Sequence, residues 1–212
     1  MTACDRAMRC AARRRAPCVR GDGAPACAAR LSPSHRPPPR SLARRARRFR
    51  IPTLINLRGA TQSGSYALSK DGAQRLGLDF HDMSLESRGA PQKDRIVRLF
   101  GIFAGMRGPG LIHCKSGADR AGLAAGLFVL FEGGTAEAAL RQLSLRFGHI
   151  KQARTGILDA FFLRYQREGE AVGNKFLDWV RDDYDEAARK GDLRATGLPR
   201  CLDHWVVTSG ST

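Results

Sequence analysis

The sequence predicts an α/β protein with a mostly parallel central sheet flanked by helices, and a helical C-terminal half. Three short apolar segments, at 52–57, 78–85 and 111–114, have the length of strands, and segments with helical spacing of apolar residues separate them. Strands that alternate with helices pair in parallel, and helices then cover both faces of the sheet. No internal repeat interrupts this order.

The first half of the pattern begins with a short basic helix over 41–49, SLARRARRF, which runs into the first strand. A second helix ends at Gly77 and leads into the second strand. Pro91 then begins a long amphipathic helix through about Met106, because proline is tolerated in the first turn of a helix. This order predicts two helical crossovers between neighbouring strands.

The second half begins with the short strand LIHC at 111–114, and an apolar helix follows it to about Phe131. Three further amphipathic helices are expected to begin at Thr135, Thr155 and Asn174, whose side chains are suited to capping a helix N-terminus. Cys114 is therefore expected at a strand-to-helix turn.

The chain divides into a segment at 1–40, a domain at 41–190 and a tail at 191–212. Residues 1–50 hold fourteen arginines and two aspartates, a net charge of +12 out of +16 for the whole chain. Few large aliphatic residues occur in 1–40, so burial cannot offset the cost of ordering this segment, and we expect it to be disordered.

The basic segment is compatible with contacts to nucleic acid or to an anionic membrane, and it resembles an organelle transit peptide in composition. We favour none of these over a segment without a binding role. Four of the six cysteines lie there without a C-x-x-C pair, so their spacing does not indicate a zinc site. Without a secretory signal or a long apolar span, we expect a cytoplasmic protein.

The chemistry-bearing motif is LIHCKSGADRAG at 111–122, in which Arg120 stands six positions after Cys114. Arginine is so frequent in this chain that the spacing alone is weak. The context makes it specific, because an apolar strand precedes the cysteine, Gly117 and Gly122 flank the arginine, and an apolar helix follows.

A loop between a strand and a helix suits an oxyanion, because its backbone N–H groups converge on one point. The same groups and Arg120 are expected to stabilise the thiolate of Cys114 as a nucleophile. The planar guanidinium of Arg120 can also bind two phosphoryl oxygens at once, which a lysine cannot do.

HCKSGADRAG resembles the H-C-x5-R phosphate-binding loop of the protein tyrosine phosphatase superfamily, and is most similar to the atypical dual-specificity branch. The resemblance runs from about Pro52 to Arg167 and includes INLRG at 55–59, DMSLESRGAP at 82–91 and the stretch at 143–162. It implies a phosphocysteine intermediate on Cys114, a carboxylic acid that protonates the leaving oxygen, and no metal or cofactor.

The acid is expected on the loop before the long helix. Asp82 is the first choice and Glu86 the close rival, whereas Asp79 would need a different fold to reach the site. The sequence differs from the family pattern after the arginine. Ala121 stands at a position where a Ser or Thr commonly helps the thiolate to leave. A long-lived phosphoenzyme is the expected consequence.

The remaining site residues are expected to bind substrate or support the loop. His113 orients the loop, Lys115 favours polyanionic substrates and Asp119 opposes them. The full predicted set is Lys115, Ser116, Gly117, Ala118, Asp119, His113 and Arg88.

The resulting prediction is a phosphatase acting on phosphotyrosine or phosphoserine proteins, with a phosphorylated protein or small phosphorylated molecule as its partner. The alternatives are a phosphatase for inositol phosphates, phosphoinositides or RNA 5′-phosphates, and a phosphate-binding adaptor without turnover.

Overall fold

The computed structural model describes residues 31–35, 37–86, 89–143 and 156–186. The predictions for 1–30, for Arg88, for the Thr155 cap and for the tail at 191–212 lie outside the described residues.

Four strands form one sheet in which every pairing is parallel. The strands are β1 (Leu31–His35), β2 (Thr53–Asn56), β3 (Asp79–Asp82) and β4 (Gly110–Cys114). Their order across the sheet is β1-β4-β2-β3, so β4 lies between β1 and β2. The predicted parallel α/β architecture is confirmed.

Helices connect the strands and complete the C-terminal half. They are α1 (Pro39–Phe49), α2 (Gly64–Arg75), α3 (Lys93–Gly105), α4 (Asp119–Phe131), α5 (Ala136–Leu140), α6 (Gly156–Glu168) and α7 (Phe176–Asp182), with a 3-10 turn at Glu170–Val172. Thr135 caps α5 as predicted, since its Oγ1 accepts the Ala138 N–H at 3.2 Å. The cap predicted at Asn174 is wrong by one residue, because Lys175 occupies the N-cap position of α7. None of the helices in the described part of the chain is long and apolar enough to cross a membrane.

The sheet has two apolar faces of unequal size. A small cluster on one face consists of side chains from α1, α2, β2, β4 and the residue pair before β2, namely Leu42, Ile51, Leu54, Ala73 and Leu111. The main core contains side chains from β2, β4, α3, α4, α6 and α7. Its C-terminal part is aromatic, and Trp179, predicted as a core residue, is completely buried there.

Strand β1 lies before residue 41, where the sequence predicted the domain to begin, and it pairs with β4 along its whole length. The prediction of disorder for 1–40 is therefore wrong for residues 31–35, which form a strand. LSPSH has no β-branched residue, and Pro33 removes a backbone donor, so the sequence carries no strand signal. A proline is tolerated here because β1 is an edge strand.

Candidate active site

The candidate site lies at the carboxyl edge of the sheet. Asn56, Asp82 and Cys114 are the last residues of β2, β3 and β4, and the register pairs Asn56 with Asp82 on one side and with His113 on the other. Ligands of open parallel sheets bind at this edge, where loops leave the strands. The fold therefore brings the predicted nucleophile and the first-choice acid, Asp82, to the same edge.

Cys114 occupies the turn between β4 and α4 and is 3% exposed. The backbone N–H of Gly117 donates a hydrogen bond to its Sγ at 3.1 Å. Gly117 has φ +83, a left-handed conformation that a residue with a Cβ adopts only with strain. The glycine thus lets the loop turn back over the sulfur.

Arg120 lies in the first turn of α4 and is partly exposed. Among the described residues its guanidinium makes no hydrogen bond or ion pair. Its donors are therefore available to an anion held over the loop. Of the predicted loop residues, Lys115 and Ser116 are exposed, Ala118 is buried, and Asp119 is partly exposed in the same helical turn.

His113 is buried between two strands, since it pairs in register with Ser34 of β1 and Asn56 of β2. Its carbonyl accepts the Leu57 N–H at 2.9 Å, which extends the ladder beyond β2. The residue before Cys114 is thus fixed by strands on both sides.

Asp82 is tied into a hydrogen-bond network rather than exposed as an isolated carboxyl group. Its Oδ1 accepts from Asn56 Nδ2 at 2.8 Å, and its Oδ2 accepts from the hydroxyl of Tyr66 at 2.5 Å. This hydrogen bond, with burial and the nearby negative charge, raises the pKa of Tyr66 above its usual 10.0. Each carboxylate oxygen of Asp82 therefore already accepts a hydrogen bond.

Asn56 extends this network to the loop after β2. Its Nδ2 also donates to the Gly59 carbonyl at 2.9 Å, while its Oδ1 accepts the Arg58 N–H at 3.2 Å. The motif INLRG at 55–59 contains Asn56, but the sequence predicted no site role for Asn56 or Tyr66. The asparagine within that motif was the available signal, whereas nothing in the sequence pointed to Tyr66.

Glu86 lies beyond the carboxyl edge, because the chain after β3 continues along β2 through a Leu85 N–H to Leu57 carbonyl bond of 3.3 Å. Its side chain is 13% exposed and pairs with Arg95 of α3 at 2.5 Å. Its Oε2 also accepts the Gln92 N–H at 3.4 Å. Burial raises the pKa of Glu86 above its ordinary value, although Arg95 acts in the opposite direction.

Asp79 is excluded from the site by its position. It begins β3, so it lies at the opposite edge of the sheet, about 10 Å along the strand from Asp82 at roughly 3.3 Å per residue. The sequence-based expectation that Asp79 would need a different fold to reach the site is thus in agreement with the topology.

Comparisons with known proteins show likeness at the level of structure. The sequence matches no family model and no curated protein. TpbA from P. aeruginosa matches with a TM-score of 0.50 and 19% identity, over 64% of this chain and 80% of that one. A cysteine-to-serine variant of TpbA in complex with pTyr matches with a TM-score of 0.52 and 16% identity, over 79% of this chain and 96% of that one. A structure of PTPMT1 has a TM-score of 0.49 and 15% identity, over 70% of this chain and 98% of that one.

The chain has the protein tyrosine phosphatase fold. In this fold, Ala121 of the chain is completely buried beside Arg120, and the next residue of α4 has little free space. A Cβ at Gly122 would approach the Gln142 carbonyl oxygen and Leu143 Cδ2 at 3.0 Å each. The glycine after the arginine motif therefore allows α4 to pack closely on the chain that follows α5.

No group of three or more His, Cys, Asp or Glu side chains that could hold a metal ion occurs among residues 31–35, 37–86, 89–143 and 156–186. The groups that the described site offers for chemistry are a thiol, a guanidinium, backbone N–H groups and two carboxyl groups.

Proposed function

We propose that this protein is a cysteine-dependent phosphatase that hydrolyses phosphate monoesters through a phosphocysteine intermediate on Cys114. The observation that carries the proposal is the Gly117 N–H bond to Cys114 Sγ, within a strand–loop–helix turn that also carries Arg120. A hydrogen bond and a helix N-terminus both stabilise a thiolate, which is the reactive form of cysteine.

In the first step, the Cys114 thiolate attacks the phosphorus atom, and the bond from phosphorus to the leaving oxygen breaks. Arg120 and the loop N–H groups bind the non-bridging oxygens, whose charge is spread over the transition state. A carboxylic acid donates its proton to the leaving oxygen, so the product leaves as a neutral alcohol or phenol. In the second step, the carboxylate takes a proton from a water molecule whose oxygen attacks the phosphorus atom, the phosphorus–sulfur bond breaks, and the thiolate and the carboxylic acid are both restored.

Glu86 is a better candidate than Asp82 for the acid, which reverses the order that the sequence suggested. Both oxygens of Asp82 accept hydrogen bonds, from Asn56 of β2 and from Tyr66 of α2, which give this carboxyl group a structural role. Glu86 is mostly buried, and its raised pKa favours the protonated form that an acid needs. Asp82 instead holds the loop after β2 in place.

The proposed substrates are phosphotyrosine and phosphoserine proteins, as expected for a dual-specificity enzyme. The complex of the TpbA variant with pTyr supports the phosphotyrosine part of this proposal. Lys115 and Ser116 are exposed at the loop that would face such a substrate.

The test is phosphate release from a panel of phosphotyrosine and phosphoserine peptides, inositol phosphates and 5′-phosphorylated RNA. We expect activity on the peptides, complete loss in Cys114→Ser and a loss of about a hundredfold or more in Arg120→Lys, because lysine cannot make the bidentate contact. Wild-type rates in Cys114→Ser would sink the mechanism. Hydrolysis confined to another member of the panel would replace the substrate.

A further inference from the structure

The C-terminal segment Arg181–Glu186 is bonded to the start of α3, more than eighty residues earlier in the chain. The hydroxyl of Tyr184 donates to the Pro91 carbonyl at 2.7 Å in a buried contact. Lys93 makes two further bonds, from its backbone N–H to Glu186 Oε1 and from its Nζ to the Arg181 carbonyl at 2.8 Å.

These contacts meet the chain where it enters the helix. Lys93 is the first residue of α3, and the first N–H groups of a helix have no partner within the helix. Glu186 supplies that partner and places a carboxylate near the positive end of the helix.

The anchor itself is rigid because it belongs to the aromatic core. Tyr184 is 1% exposed, and its ring centroid lies 5.2 Å from that of Phe161 and 5.3 Å from that of Trp179. The start of α3 is therefore attached to the core through Tyr184 as well as through its own helix.

The same turn of α3 holds the proposed acid. Glu86 accepts the N–H of Gln92, which lies between the two anchored residues Pro91 and Lys93, and it pairs with Arg95 one turn later. Two contacts of the Glu86 side chain thus go to the start of α3, one to the stretch that Tyr184 and Glu186 hold and one to the helical turn that follows it.

We propose that the segment Arg181–Glu186 positions Glu86 for proton donation, with Tyr184 and Glu186 as positioning residues that act through the first turn of α3. This proposal rests on the proposed function, in which Glu86 protonates the leaving oxygen. Its consequence is that disturbing this segment weakens acid catalysis while nucleophilic attack by Cys114 is retained.

The dependence of kcat/KM on the basicity of the leaving group measures this effect. Phenyl phosphate has a strongly basic leaving oxygen that requires protonation, whereas p-nitrophenyl phosphate has a weakly basic one that departs with little help. In the double variant Tyr184→Phe, Glu186→Gln, we expect kcat/KM to fall by about tenfold for phenyl phosphate, a part of the 10²–10⁴-fold typical of acid catalysis. The value for p-nitrophenyl phosphate should stay within about twofold, since that reaction draws little on the acid. The quantity kcat/KM is used because it does not depend on hydrolysis of the phosphoenzyme.

Tyr165→Phe is the matched control. Its hydroxyl donates to the Asn174 carbonyl at 3.1 Å and its ring packs against Trp179, so it loses an equivalent bond in the same aromatic core without touching α3. We expect it to leave the ratio of the two kcat/KM values at the wild-type level.

Equal losses for both substrates in the double variant, or no loss for either, would overturn the proposal. It would also be overturned if Asp82→Asn rather than Glu86→Gln produced the selective loss with phenyl phosphate, because the positioned group would then not be the acid. Failure of the proposed function has a different signature, since Cys114→Ser would then retain activity on both substrates.

Discussion

The backbone N–H of Gly117 lies 3.1 Å from the Sγ of Cys114 and donates a hydrogen bond to it. The left-handed φ of +83 at Gly117 accompanies this bond, so the conformation of the loop and the state of the nucleophile are coupled. A substitution at Gly117 should therefore change the reactivity of the Cys114 sulfur through the loop backbone.

Gly117→Ala should reduce the reactivity of Cys114. A Cβ in the left-handed region costs about 1–2 kcal/mol, so the loop relaxes and moves the N–H from the sulfur. Alkylation of Cys114 by iodoacetamide at neutral pH should fall by about tenfold, because a hydrogen bond to a charged group contributes about 1.5–3 kcal/mol. Mass spectrometry of the Cys114 peptide separates this thiol from the other five cysteines.

Gly133→Ala is the control for that experiment, because Gly133 has the same φ of +83, has open space around it and lies beyond the far end of α4. It should lose similar stability and keep the wild-type alkylation rate. An unchanged rate in Gly117→Ala would show that the bond does not stabilise the thiolate.

Glu86 should set the alkaline limb of the pH–rate profile. Burial raises its pKa above the ordinary 4.5, and the acid works only when protonated. The value of kcat/KM for phenyl phosphate should therefore fall as the pH rises through the raised pKa. Glu86→Gln should remove this limb and lower the maximum, whereas Asp82→Asn should keep the limb. A limb that persists in Glu86→Gln would contradict the assignment.

The same raised pKa has a consequence for stability. The folded protein holds the Glu86 proton to a higher pH than the unfolded chain does, so the stabilisation that protonation provides is complete below pH 4.5 and is lost as the pH rises through the folded value. The free energy of unfolding of Glu86→Gln, measured by urea denaturation from pH 4 to pH 8, should therefore rise relative to that of the wild type. A constant difference across this range would mean that the carboxyl group does not titrate abnormally.

The strand–loop–helix turn around Cys114 could be predicted because its signals are local. LIHC is apolar and short, Gly117 permits the turn, and the apolar residues after Arg120 predict a helix. Strand β1 could not be predicted, because LSPSH becomes a strand only through pairing with β4, and tertiary pairing of this kind leaves no pattern in the strand itself.

The choice between Asp82 and Glu86 as the candidate acid also depends on tertiary structure. Asp82 and Asn56 are 26 residues apart in sequence, and only the register of β2 against β3 places them side by side. The sequence placed both carboxyl groups between a strand and the long helix, and it favoured Asp82 for its location at the expected edge of the site. The contacts of Tyr66 and Arg95, which distinguish the two carboxyl groups, arise from helices packed over the edge of the sheet.

Ala121→Ser should shorten the lifetime of the phosphoenzyme. A hydroxyl at this position commonly helps the thiolate to depart in the superfamily that the motif resembles, and Ala121 cannot provide it. The wild type should therefore release a burst of p-nitrophenol in stopped-flow measurements, and Ala121→Ser should shrink the burst and raise the steady-state rate. Ala124→Ser, equally buried in the same helix, is the control and should keep the wild-type burst. A wild type without a burst would contradict the expectation.

Gly126 should be intolerant of a methyl group, although it lies inside a helix where alanine is intrinsically favoured. A Cβ there would approach Phe162 Cζ at 2.6 Å, Phe162 Cε2 at 2.9 Å and the Ala139 carbonyl oxygen at 3.0 Å. Phe162 is completely buried, so its ring cannot swing away into solvent. Gly126→Ala should therefore lose about 1–3 kcal/mol of unfolding free energy through overpacking.

Gly101→Ala provides the opposite sign in the same assay. Gly101 lies on the exposed side of α3 with open space around it, so alanine should stabilise the protein by about 0.5–1 kcal/mol through helix propensity alone. Urea denaturation of both variants measures the two effects against the wild type. If Gly126→Ala were as stable as Gly101→Ala, α4 and α6 could not pack as closely as the contacts of Gly126 require, and the turn between Cys114 and Arg120 at the start of α4 would lack that support.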